Sequence, residues 1–258
     1  LAEWEQMVER IRNRTGEVHI GLVGKYVKLH DAYLSVAEAI NHAGYEMNTF
    51  VKIHWIDSED ITKDSVNDML KDLSGIIIPG GFGNRGIEGM ILAAKYAREN
   101  QIPYLGICLG MQIAVIEFAR NMLGLKDAHS GEFDEQCKHK VIDFMPGQSE
   151  EVEKGGTLRL GSYPCSIKAG TKLEAYYGNR VIHERHRHRY ELNNEYREKL
   201  TEAGLVISGT SPDNSLVEAI ELQEHPFFTG VQFHPEFKSR PNQAHPLFRG
   251  FISAALKE

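Results

Sequence analysis

Apolar and polar positions along this chain follow two rhythms that take turns. "EVHIGLVG" (residues 17–24) is a mostly apolar run of strand length. "DAYLSVAEAINHAG" (31–44) then spaces its apolar positions by three and four, as an amphipathic helix does, with Asp31 as N-cap and Gly44 as stop. The pair repeats. "NTFVKIHWI" is a strand and "TKDSVNDMLKDL" a helix capped by Thr62; "SGIIIPGG" is a strand and "IEGMILAAKYAREN" a helix. "IPYLGI" (102–107) is a fourth strand, running into a helix that starts at "LGMQIAVIEFA" (109–119). Before all of these, "LAEWEQMVERIRNR" places Trp4, Met7, Val8 and Ile11 on one helical stripe. Strands alternating with helices need crossover connections, which predicts an α/β fold with a mainly parallel central sheet and flanking helices.

After about residue 124 the rhythm changes. "YPCSIKAGTKLEAYYGN" and "RVIHERHRHRYEL" read as short strands with turn signals. "GLVISGT", "SLVEAIEL" and "FFTGVQFHP" return to core strands, and "HPLFRGFISAALK" reads as a closing helix. One α/β domain with a small additional β region is the expected organisation, without internal repeats.

Composition narrows the classes. The chain has 258 residues, and its net charge of −7 argues against a nucleic-acid partner. No apolar run approaches the roughly 18 residues of a membrane span, and no charged-then-apolar leader is seen, so neither membrane nor secretion is expected. The three cysteines, 108, 137 and 165, form no C-x-x-C pair, which favours free thiols and a reducing compartment. The start at Leu1 leads us to expect an excised piece of a longer protein.

The candidate chemistry centres on "GICLG", where Cys108 stands between Gly106 and Gly110 at a strand-to-helix corner. Such a cysteine can be a small packed hydrophobe. It can also be the thiol version of a nucleophile elbow, activated by the positive end of the following helix. "GVQFHPEF" supplies a base: in extended chain His234 and Glu236 would share a face, so the carboxylate could orient the imidazole toward the thiol. "PGGFGNRG" (79–86) reads as a tight turn or as a glycine loop aiming backbone N–H groups at an oxyanion. It lacks the Lys-Ser/Thr ending of a P-loop. In "ERHRHRYE" Arg185, Arg187 and Arg189 would line one strand face, with His186 and His188 on the other. No third ligand accompanies that His-x-His pair, so no metal is expected.

"GICLGMQ", "PGGFG" and "HPE" together resemble the class I glutamine amidotransferase family. "GLVGKYVKLHDAYLSVAEAI", "IIIPGGFGNRG", "ERHRHRYELNN" and "VQFHPEFKSRP" are similar to the branch joined to a UTP-aminating synthetase. The resemblance implies a flavodoxin-like sheet and glutamine hydrolysis through a glutamyl thioester on Cys108, with His234 as base and Glu236 as its orienter. It implies oxyanion donors at Gly81 and Leu109, and glutamine contacts at Gly81, Phe82, Leu109, Gln112, Glu132 and Arg189. Glu132 would take the ammonium, and Arg189 the carboxylate in preference to Arg187.

It further implies residues 1–15 as a linker helix from an N-terminal synthetase domain and 16–258 as the amidotransferase domain. Lys25, Tyr26 and the "HDAYLS" segment would lie near that synthetase. The whole enzyme would be a cytoplasmic homotetramer using ATP and Mg²⁺ to aminate UTP to CTP, with GTP as activator and Arg85 as a candidate GTP contact. No cofactor is expected in this domain. Two other readings stay open at this stage: a stand-alone thiol hydrolase accepting larger γ-glutamyl substrates, and a non-catalytic regulatory module.

Overall fold

The computed structural model describes residues 1–144 and 159–257. Helix α1 (Ala2–Arg12) precedes β1 (Gly16–Gly24), α2 (Leu34–Glu46), β2 (Thr49–Asp57), α3 (Val66–Leu70) and β3 (Gly75–Ile78). Next come α4 (Ile87–Glu99), β4 (Tyr104–Ile107), α5 (Leu109–Met122), β5 (Ala128–Ser130) and β6 (His139–Phe144). The remainder is β7 (Arg159–Ile167), α6 (Lys172–Tyr177), β8 (Val181–His188), β9 (Tyr190–Leu192), α7 (Arg197–Glu202), β10 (Val206–Thr210), β11 (Val217–Glu221), β12 (Phe228–Val231) and α8 (Pro246–Ala255).

Nine strands form one sheet in the order β2-β1-β3-β4-β12-β11-β10-β7-β8. The half from β2 to β12 is parallel, as the βα rhythm predicts. From β12 onward the pairing turns antiparallel. The expected β region is therefore divided: β7 and β8 extend the main sheet, while β5, β6 and β9 make a second, three-stranded sheet.

Helices cover both faces. Ile76 and Ile78 of β3 belong to the core under α4 and α5, and Ile77 between them to the core under α2 and α8. That is the period-two alternation of a strand buried on both sides, so β3 and β4 read as near-continuous apolar runs. Every residue of α5 from Leu109 to Ala119 is buried. Its one acid there, Glu117, is held by Arg98 of α4 through nitrogen–oxygen contacts of 2.8 and 2.9 Å.

Three sequence expectations are corrected. Asp31 lies in a 3₁₀ turn (His30–Tyr33), and α2 starts at Leu34 without a side-chain cap. Gly44 lies inside α2, where a Cβ would come within 2.7 Å of Val51 Cγ2, so the glycine serves a close approach to β2 rather than a stop. Residues 163–179 are not only strand: the Thr171 hydroxyl accepts from the Glu174 N–H and Gly178 closes α6 at φ 67°, so the apparent turn signals are helix caps.

β3, β4 and β12 are neighbours and end side by side: Ile78 pairs with Gly106, and Ile107 with Val231. The glycine loop, Cys108 and His234 all follow these ends, the usual place for a site in an open α/β sheet. α5 can approach only because Gly106 and Gly110 lack side chains. A Cβ on Gly110 would stand 2.1 Å from the Ile78 carbonyl oxygen, and one on Gly106 2.5 Å from the Gly110 carbonyl carbon. Backbone cannot swing aside as a side chain can. Gly110→Ala is therefore expected to cost about 1–3 kcal/mol or more in denaturant unfolding; an unchanged midpoint would contradict this packing.

Candidate active site

Cys108 turns the chain from β4 into α5 with φ 52° and ψ −99°, a conformation that side-chain-bearing residues rarely adopt. Its N–H donates to the Val231 carbonyl at 2.7 Å, tying the corner to β12. The Leu109 N–H opens α5 and has no acceptor within the helix. The thiol accepts from Gln232 Nε2 at 3.6 Å and donates to the Arg187 carbonyl at 3.9 Å.

His234 and Glu236 do come together, by a different route from the extended strand expected. β12 ends at Val231, and Pro235 opens a 3₁₀ turn (Pro235–Lys238) that brings Glu236 Oε1 to 2.7 Å from His234 Nδ1. The other ring nitrogen is then left for the thiol. The His234 N–H is held by the Arg185 carbonyl at 2.8 Å, and the ring stacks on Phe237 with centroids 5.4 Å apart. Burial pushes this imidazole down, but the charge and hydrogen bond of Cys108, aided by Glu236, hold it up at about 10.

The glycine loop presses against this pair: a Cβ on Gly80 would be 2.8 Å from His234 Cε1 and 3.6 Å from Cys108 Cβ. Two charged groups anchor the loop. Lys25 Nζ donates to the carbonyls of Phe82 and Gly83, and the Gly83 N–H donates to Glu132 Oε1 at 3.1 Å. Lys25, expected near the synthetase, is 2% exposed and turned to the loop. Burial lowers its amine to about 8 against the pull of Glu132, and burial likewise raises the Glu132 carboxyl.

A cavity of about 670 Å³ opens beside the thiol, lined by Gly81, Phe82, Gln112, Glu132 and Arg189 together with Cys108. It is within the size range of small-ligand sites. Arg189 was expected on one strand face with Arg185 and Arg187, but β8 ends at His188 and Arg189 occupies the bend before β9. That bend brings Arg189 to the cavity, while Arg187 lies over the Phe82 ring at 5.8 Å. Leu109 packs behind the loop, its Cδ2 3.2 Å from where a Gly81 Cβ would be. Arg85 donates to Glu59 at 3.0 Å and to the Lys25 carbonyl, and lies over Tyr26.

Sequence reasoning missed Gln232. Its backbone N–H donates to the Glu218 carbonyl at 2.8 Å, and its side-chain amide bridges Gln112 to the sulfur. The available signal was a lone polar residue in the buried run "GVQF", two positions before His234. Among the described residues no three His, Cys, Asp or Glu side chains gather as a metal site, and no helix is long and apolar enough to cross a membrane.

A family profile described as Glutamine amidotransferase class-I matches residues 28–254. Proteins named CTP synthase match throughout. That of Carboxydothermus hydrogenoformans is 64% identical over 257 residues, 100% of this chain and 48% of the relative. That of Clostridium acetobutylicum is 60% identical over 254 residues, 98% of this chain and 48% of the relative. The chain thus spans about half the length of the curated relatives it matches. Among solved structures, the glutaminase domain of Trypanosoma brucei CTPS with bound acivicin superposes with a TM-score of 0.88 at 40% identity, covering 93% of this chain and 94% of that one. A glutamine amidotransferase from Thermotoga maritima, 13% identical with a TM-score of 0.51, covers 93% of this chain and 96% of its own and shares the fold.

The raised imidazole has a measurable consequence. His234 keeps both ring protons through neutral pH and loses one near pH 10 when followed by NMR, and Glu236→Gln lowers that midpoint. The stability linked to this raised value is fully present below about pH 6.5 and disappears as pH rises toward 10. A midpoint near the ordinary 6.5 would contradict the arrangement.

Proposed function

This chain belongs to the class I glutamine amidotransferase family, and from that premise we propose that it hydrolyses L-glutamine to glutamate and ammonia. The observation that carries the reading is one cavity holding the Cys108 thiol, the Glu132 carboxylate and the Arg189 guanidinium. Free glutamine presents an amide, an ammonium and a carboxylate, so a selective site needs a partner for each. A γ-glutamyl compound carries the same α-ammonium and α-carboxylate, so these two contacts hold the glutamyl end of either substrate.

In this reading the thiolate of Cys108 attacks the amide carbon while His234 holds the proton. The N–H groups of Gly81 and Leu109 receive the oxyanion, which preorganised donors stabilise strongly. His234 then protonates the departing ammonia, leaving a glutamyl thioester. Next it takes a proton from water, whose attack releases glutamate and restores the thiol. Glu236 orients the imidazole throughout. Phe82 and Gln112 complete the pocket wall around the substrate.

The ammonia would pass to a synthetase domain that precedes this one in the same polypeptide, with residues 1–15 as the linker helix. The support is that relatives named CTP synthase match over about half of their own length. Amination of UTP to CTP, with ATP and Mg²⁺, would belong to that other half, which fits the lack of a Walker-type loop here. The full enzyme would be a cytoplasmic homotetramer activated by GTP. Arg85 as the GTP contact would require its guanidinium to leave Glu59, with which it pairs at 3.0 Å.

Ammonia release from glutamine by this chain tests the reading. Arg189→Leu is expected to raise KM about 10–100-fold with kcat little changed, the loss of a charged hydrogen bond worth about 1.5–3 kcal/mol. Arg187→Leu is expected to have the smaller effect, and Cys108→Ala to abolish turnover. Equal KM effects at the two arginines, or turnover in Cys108→Ala, would contradict the assignment.

A further inference from the structure

Behind the cavity lies a buried polar tract that this chemistry does not use. Arg159 of β7 donates to Glu218 Oε1 of β11, and neither side chain is more than 9% exposed. Glu218 Oε2 lies 3.1 Å from His186 Nε2. His186 Nδ1 lies 3.0 Å from His188 Nε2, and His188 Nδ1 3.2 Å from the Tyr190 carbonyl oxygen. Glu218, His186 and His188 are all buried. Glu191 of β9, whose carboxyl burial raises to about 8 against the pull of Arg159, adds a second acid to the tract.

The carbonyl end sets the direction of every hydrogen bond. A carbonyl oxygen can only accept, so His188 must carry its proton on Nδ1. Burial, with Arg159 close by, pushes His188 down to about 3 and His186 to about 2, so both rings are neutral at pH 7. A neutral imidazole has one proton. His188 Nε2 is therefore an acceptor, His186 Nδ1 is the donor to it, and His186 Nε2 is bare. Glu218 Oε2 lies 3.1 Å from that bare nitrogen without hydrogen-bonding it, and both atoms are buried with no hydrogen-bond partner among the described residues.

The other end of the tract is the cavity wall. The Tyr190 carbonyl also accepts from Gln112 Nε2 at 2.9 Å, so the bend is gripped from both sides. Arg189 sits in that bend, and its Nε is buried with no hydrogen-bond partner among the described residues. We propose that His186 and His188 form a one-directional hydrogen-bond relay, ending on the Tyr190 carbonyl, that positions the 188–190 bend, and with it Arg189, for the substrate carboxylate. This rests on the cavity being the glutamine site. Both are positioning residues: His186 lies behind the cavity wall, and His188 is part of that wall beside Arg189.

Two measurements test it. Nitrogen-15 NMR of the histidines in this chain at pH 7 should find His186 and His188 neutral with the proton on Nδ1. A proton on Nε2 of His188 in place of Nδ1 would overturn the relay, and no substrate enters that readout. The second measurement is the glutamine concentration that half-protects Cys108 from iodoacetamide. His188→Asn keeps a donor on the atom bonded to Cγ, where Nδ1 stood; His188→Leu keeps none. We expect Leu to raise the half-protecting concentration at least tenfold and Asn to stay within threefold of the parent chain. Equal effects of Asn and Leu, or no effect of Leu, would overturn the proposal. If Leu does not fold, the Asn variant and the tautomers still decide it. A parent thiol that glutamine never protects would instead count against the glutamine reading.

Discussion

At the end of β4 the chain must become a helix within one residue, and Cys108 takes the strain at φ 52°. Such a conformation costs on the order of 1–3 kcal/mol and persists only where the surroundings over-determine it. Here they do. The Cys108 N–H is bound to β12, Gly110 lies against the β3 carbonyl, and the whole inner length of α5 is buried. The same constraint leaves the first amides of α5 without helical acceptors. Geometry for packing and geometry for chemistry are one arrangement.

The two halves of the sheet contribute differently. The parallel half delivers the thiol and the glycine loop, each at a strand's C-terminal end. The antiparallel half supplies support: β8 holds the backbone of His234, β11 holds that of Gln232, and the bend after β8 carries Arg189. The loop itself is clamped between buried Lys25 and Glu132. Burial alone would discharge both groups, and their proximity opposes this.

Much of this was legible in the sequence because the signals are local. The parallel order follows from strand and helix periods, and the elbow from two glycines flanking one cysteine. His234 and Glu236 were legible as a pair because they are two residues apart, though a 3₁₀ turn joins them and not a strand. What escaped depends on contacts distant in sequence. Gln232 gains meaning only from Gln112 and Cys108, and Lys25 only from a loop some 58 residues on. Helix α6 is six residues long, too short to show a period, so its capping threonine and glycine looked like turns. The arginines of "RHRHR" alternate faithfully until the strand stops, and that stopping point separates Arg189 from Arg187.

The central claim is that Cys108 is an activated nucleophile facing a glutamine pocket. Its most direct test is the intact mass and peptide map of the folded chain after exposure to an electrophilic glutamine analogue, a diazo or chloroketone compound. The account predicts one adduct, on Cys108, suppressed by excess L-glutamine and not by L-glutamate amounts that leave the amide position unfilled. Modification of Cys137 or Cys165 instead, or an adduct on Cys108 that glutamine does not suppress, would contradict it.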